Sequence, residues 1–126
     1  KTLFPYTTLF RSNGDYYEGN FLNDNRTGKG TYIWSTGDIY IGDFLNNIKH
    51  GKGILKWVNG DLYEGDWLNG MRTGQGTLHW NNGDIYIGTT YFAAGNGNIY
   101  RFKKDGTFIE KFDCGGQNPN SAVFFN

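Results

Sequence analysis

A 23-residue step runs through most of this 126-residue chain. Gly14, Gly37, Gly60 and Gly83 keep it, as do Asp15, Asp38, Asp61 and Asp84. Tyr17, Tyr40, Tyr63 and Tyr86 follow in the same register, then Gly19, Gly42, Gly65 and Gly88. The next column holds Phe21, Phe44 and Trp67 and breaks at Thr90. Gly28/51/74, Gly30/53/76 and Trp34/57/80 complete the unit. Repeats this short cannot bury an apolar face alone, so the fold must stack neighbouring units into one continuous core.

Each unit contains two strand-like segments. In the first, alternation places Asp38, Tyr40, Gly42 and Phe44 on one face and Ile39, Ile41 and Asp43 on the other. In the second, Gly51, Gly53, Leu55 and Trp57 share a face. No stretch carries an apolar period of 3.6 residues, so helices are not expected. Glycine within a strand marks a bend or a close approach, which predicts Tyr and Trp rings lying over glycines of the adjacent strand. Two connections alternate. Asn59-Gly60 and its equivalents at 13–14, 36–37 and 82–83 predict tight type I′ turns with positive φ at both central residues. The other, Asn46 to His50 in the second unit, reads as a longer loop. Short antiparallel links give a β-meander, each unit adding two strands, or roughly 10 Å.

The unit Y-x-G-x-W-x-x-G-x-x-x-G-x-G resembles the MORN (membrane occupation and recognition nexus) repeat. The closest copy runs from Tyr63-Glu64-Gly65-Asp66-Trp67 to Gly74-Gln75-Gly76. Earlier copies depart from it: Phe21 and Phe44 stand for Trp, and Asp24 and Asn47 for Gly. The resemblance covers about residues 13–90, some three and a half repeats. It implies an all-β fold, an elongated, twisted antiparallel sheet of hairpins. It also implies a non-catalytic interaction or scaffold module that binds protein, self-associates or touches phospholipid.

The ends differ from the array. Residues 1–12 lack glycine and acids, and Thr2 to Ser12 (TLFPYTTLFRS) resemble the in-frame translation of a sequencing adapter. That stretch is expected to be an artefact, to be left out of fold and function reasoning. Residues 91–126 lose the repeat. Ile99 to Phe112 reads as a hairpin around Lys104-Asp105-Gly106. Residues 91–126 weakly resemble one blade of an NHL-like β-propeller. The expectation is either a degenerate cap on the array or a blade cut from a larger protein, with the cut preferred.

Chemistry-bearing residues are scattered. The aspartate column repeats one environment, whereas an acid–base pair needs two; its expected role is to bond turn N–H groups. His50 and His79 stand apart, which argues against a metal site. Cys114 lacks a sequence-evident base. No catalytic residue, cofactor or metal site is expected. The chain carries 12 basic and 12 acidic residues, which gives no global attraction to nucleic acid. Without residues 1–12 the balance is 10 − 12 = −2.

Two patterns remain. Arg26, Lys49 and Arg72 form one basic column, and Lys29 and Lys52 a second; both are expected along one loop edge as a candidate anion-binding stripe. The aromatic columns, Tyr17, Phe21, Trp34, Tyr40, Phe44, Trp57, Tyr63, Trp67, Trp80 and Tyr86, form the candidate interaction surface. The leading expectation is a protein partner or self-association through this face. The alternatives are a tether to anionic phospholipid through the basic column, or an accessory region of a larger enzyme.

Overall fold

The computed structural model describes residues 3–90 and 97–113. Ten strands follow one another: β1 (Leu3–Phe10), β2 (Tyr16–Leu22), β3 (Asn25–Ile33), β4 (Ile39–Leu45), β5 (Ile48–Lys56), β6 (Leu62–Leu68), β7 (Met71–His79), β8 (Ile85–Thr90), β9 (Gly97–Phe102) and β10 (Phe108–Asp113). Their order in space is their order in sequence, in one antiparallel sheet. Among the described residues there is no helix. Among the described residues the sheet has no second layer, and its core is built on its own surface.

The two glycines of the G-x-G motif serve different ends. Gly51 has φ +62° and sits where the β4–β5 register shifts between Gly42 and Asp43, so it supplies a left-handed bulge residue. Gly53 lies beneath Tyr40: a Cβ there would stand 2.5 Å from the ring's Cε1. Gly30 under Tyr17 and Gly76 under Tyr63 repeat this. In register, Gly19, Gly30, Gly42, Gly53, Gly65, Gly76 and Gly88 line up across β2 to β8, and Ile99 of β9 ends the row. The expected seating of rings on glycine thus holds for the tyrosines. Each covers a glycine of its own strand and one of the next.

The turn assignments are reversed. Leu45 pairs with Ile48, leaving only Asn46 (φ 48°) and Asn47 (φ 72°) between strands. Asn23-Asp24 and Asn69-Gly70 have the same geometry. These are the tight, positive-φ hairpin turns. At the other end Lys56 pairs with Leu62, and the connection runs from Trp57 to Asp61. Gly60 donates to the Trp57 carbonyl at 3.0 Å, and Gly60 alone takes positive φ (99°). Asn59 keeps ordinary φ because its side-chain oxygen accepts the Asp61 N–H at 2.9 Å. Loop length, not the Asn-Gly pair, decides the turn type.

The aspartate column does bond turn N–H groups, but across repeats. Asp15 Oδ1 accepts from Ser35 N–H, Asp38 from Val58 and Asp61 from Asn81, at 2.8–2.9 Å. Each unit thereby clamps the turn of the unit after it. The C-terminal hairpin joins the same sheet: β9 pairs along β8 from Ile85↔Phe102 to Thr90↔Gly97. β1 likewise pairs with β2. Cys114 lies outside the described residues.

Candidate interaction face

One face carries a continuous aromatic ribbon. Phe21, Tyr17, Phe44, Tyr40, Trp67 and Tyr63 follow one another with ring centroids 5.1–5.4 Å apart and planes at 82–89°. Edge-to-face contacts of this kind contribute about 0.5–1.5 kcal/mol each beyond burial. The tyrosines are the most deeply set: Tyr17 is 1% exposed, Tyr40 and Tyr63 are 0%. Their hydroxyls donate to the carbonyls of Asn20, Asp43 and Asp66. Burial, with the nearby Asp43 and Asp66 charges behind it, pushes the Tyr40 and Tyr63 phenols well above their usual range. Trp67 donates its indole N–H to the Gly53 carbonyl at 3.1 Å.

Above the ribbon lies a layer of cations. Arg26 stands over Tyr17, Tyr32 and Phe44, at 5.1–5.8 Å from the ring centroids. Lys49 stands over Trp34, Tyr40 and Trp67 at 5.2–5.8 Å. Arg72 stands over Trp57 and Tyr63 at 5.3 and 5.7 Å. Along an extended ladder Lys49 and Trp34 belong to opposite strand ends, roughly 20 Å apart. Their contact requires the strands to curl, so that cation and indole close over Tyr40 from opposite rims. The exposed layer of this face is therefore a series of paired groups, Trp34 with Lys49 and Trp57 with Arg72.

These cations are half-buried. Burial lowers the pKa of all three; Arg11 adds to this at Arg26, and Arg72 adds to it at Lys49. No carboxylate bonds any of them among the described residues. Arg26 donates to the Asn47 carbonyl at 3.1 Å, yet its Nε, like one terminal nitrogen of Arg72, is buried without a partner.

The opposite face is different. Lys29 pairs with Asp43, and Lys52 with Asp66, each directly across the ladder. These exposed lysines flank a shallow cavity of about 660 Å³ floored by Gly19, Gly30, Gly42, Gly53 and Gly65. The two basic columns expected along one loop edge thus sit on opposite faces of the sheet. Strand alternation explains it, since Lys49 and Lys52 are three residues apart.

The structure also divides the aromatic set. Tyr17, Tyr40, Phe44, Tyr63 and Trp67 are core; Phe21, Trp34, Trp57, Trp80 and Tyr86 are half-exposed. Tyr32 was not singled out in the sequence, yet it is 9% exposed and donates to Asp15 at 2.6 Å. Arg101 lies beyond the repeat register, so no column marks it in the sequence. It lies 5.6 Å from the Tyr86 ring and bridges Asp84 and Glu110, so it plays the column's part where the repeat has faded. His50 faces Asp43 in the ladder and His79 faces Leu62. Among the described residues no group of His, Cys, Asp and Glu is placed to hold a metal ion.

Fold and face together define a single-sheet hairpin-repeat protein with an aromatic-cationic surface. The chain belongs to the MORN-repeat family: the family model matches residues 17–39, 40–62 and 63–85, or 69 of 126. Each match begins on a buried tyrosine. MORN repeats form protein- or membrane-binding modules. The matched stretch includes neither residues 2–12 nor 91–126, so neither the adapter nor the propeller-blade resemblance gains support from it. No curated protein matches the chain.

Proposed function

We propose that the chain is a non-catalytic protein-interaction module whose aromatic face docks a protein partner or a second copy. The observation that carries this is the half-exposed column Trp34, Trp57 and Trp80 on a sheet that, among the described residues, has no covering layer. Exposed apolar patches beyond a few hundred Å² mark interfaces, and tryptophan is enriched among the residues that dominate binding energy. The test is light scattering after size exclusion, together with crosslinking in source lysate. The Trp34→Ala/Trp57→Ala variant should lose self-association or partner capture while keeping its strand circular dichroism. Unchanged behaviour in that variant would refute the reading.

The phospholipid reading has less support. Lys29 and Lys52 are paired with Asp43 and Asp66, and Arg26, Lys49 and Arg72 are packed among rings. The accessory-region reading is tested by extending the open reading frame on both sides. In this proposal residues 13–90 are the functional array and residues 2–12 derive from a sequencing adapter; finding the codons for 2–12 in source DNA would overturn the second point.

A further inference from the structure

On one face of the sheet Lys29 and Lys52 each have an aspartate; on the other, among the described residues, Arg26, Lys49 and Arg72 have no carboxylate. Arg26, Lys49 and Arg72 are half-buried; Arg26 Nε and one terminal nitrogen of Arg72 lack an acceptor, and the charge on Lys49 is disfavoured by burial and then by Arg72. Burying charge without a partner is costly. Rings recover part of that cost, but they leave a row of like charges at one repeat spacing. Two strands per repeat set that spacing at about 10 Å. Beside Lys49 and Arg72 stands a half-exposed indole, Trp34 and Trp57 respectively.

A complementary ligand must carry an acid and an apolar group on one side, repeating about every 10 Å. An extended strand shows same-face residues about 7 or 13 Å apart, which misses the step. A polyproline helix matches it, at about 9.3 Å for three residues, but presents one side chain per step. An α-helix advances about 10.5 Å in seven residues and presents further side chains at i+3 and i+4. It alone supplies both groups in register.

We propose that the aromatic face seats an acidic amphipathic α-helix laid across the strands, its i, i+7 and i+14 carboxylates meeting Arg26, Lys49 and Arg72 and its i+3/i+4 apolar residues meeting Trp34 and Trp57. This rests on the reading of that face as a protein-docking surface. It adds the partner's secondary structure, charge and period.

The experiment titrates the protein with three helical 21-residue probes, followed by tryptophan fluorescence and anisotropy. One carries Glu at heptad spacing beside Leu. The second has the same composition with Glu moved to the far side of the helix. The third replaces each Glu of the first by Gln. The heptad-acid probe should bind at least tenfold tighter than either control, and more weakly as salt rises. Lys49→Met and Arg72→Gln should each erase that preference while leaving Leu-dependent binding, and Arg72→Lys should keep most of it. Equal affinity for all three probes would overturn the proposal while leaving the docking reading intact. No binding by any probe, with partner capture still lost in the Trp34→Ala/Trp57→Ala variant, would overturn the helix alone. No binding by any probe and no capture would overturn both. Quenching by vesicles of phosphatidylcholine and phosphatidylserine, without response to the probes, would make the surface a membrane contact and overturn the helix too. The probe comparison uses the unmodified protein, so it stands even where a variant fails to fold.

Discussion

At the scale of the residue, the motif's glycines are held by different constraints, and substitution separates them. In Gly53→Ala the new Cβ meets a ring that is itself fully buried, so nothing can yield cheaply. The expected loss is about 1–3 kcal/mol, read by thermal or urea unfolding. Gly106 takes φ +87° with open space around its missing Cβ. Gly106→Ala should cost only the backbone term, about 1 kcal/mol. Equal effects at the two sites would contradict the seating of Tyr40 on the sheet. Asp15 gives a pH test. Its carboxylate accepts from the Tyr32 hydroxyl and then from Ser35 N–H, which holds its pKa below the ordinary 3.8. The native state then binds fewer protons than the unfolded chain. The stabilisation is complete above the ordinary value and is lost as pH falls through the native one. Asp15→Asn should therefore flatten the acid limb below about pH 4 in unfolding curves from about pH 6 to about pH 2, with little change in slope above it.

At the scale of the element, the hairpin ends are not alike, and the sequence disclosed one better than the other. Strand alternation around Tyr40, Gly42 and Phe44 was plain, because rings and glycines recur with period two. Turn type was not, because it depends on which residues close the ladder. Asn46 and Asn47 stand between paired Leu45 and Ile48 and must both go left-handed, whereas Asn59 sits in a longer connection and commits its side chain to Asp61. The separation of Lys49 from Lys52 was legible in their odd spacing. The caging of Lys49 by Trp34 was not legible, since it depends on strand curl. Asn47 also ties its turn to the preceding hairpin: its Oδ1 accepts Arg26 N–H at 2.8 Å and its Nδ2 donates to Asn25 at 2.6 Å. Asn47→Ala loses these bonds and gains left-handed strain, for an expected loss of about 1–2 kcal/mol. Asn59→Ala should cost less, as one local bond is removed; chemical denaturation of the two variants decides the order.

At the scale of the whole molecule, every tie runs to a neighbour. The ribbon, the aspartate clamp and the cation cages each join one unit to the next, which makes stability a sum over units and their junctions. Inserting a second copy of residues 40–62 directly after Leu62 should recreate both junctions. The longer protein should fold, unfold at higher temperature, and grow along the array by roughly 10 Å in small-angle scattering. An insert that left the maximum dimension unchanged, or that lowered the melting temperature, would contradict a modular sheet.

Strand order has a mechanical consequence. Because β1 to β10 lie in sequence order, tension on the two ends of the chain pulls across the ladders instead of along them. Each hydrogen-bonded row then opens from one end like a zip, and the load falls on one strand at a time. The protein should yield at low force, in a sawtooth of small steps beginning at its margins, while the rest of the sheet stays intact. Optical-tweezers extension would record that pattern as a compliant, self-restoring spring; a single high-force rupture would mean that the units break together.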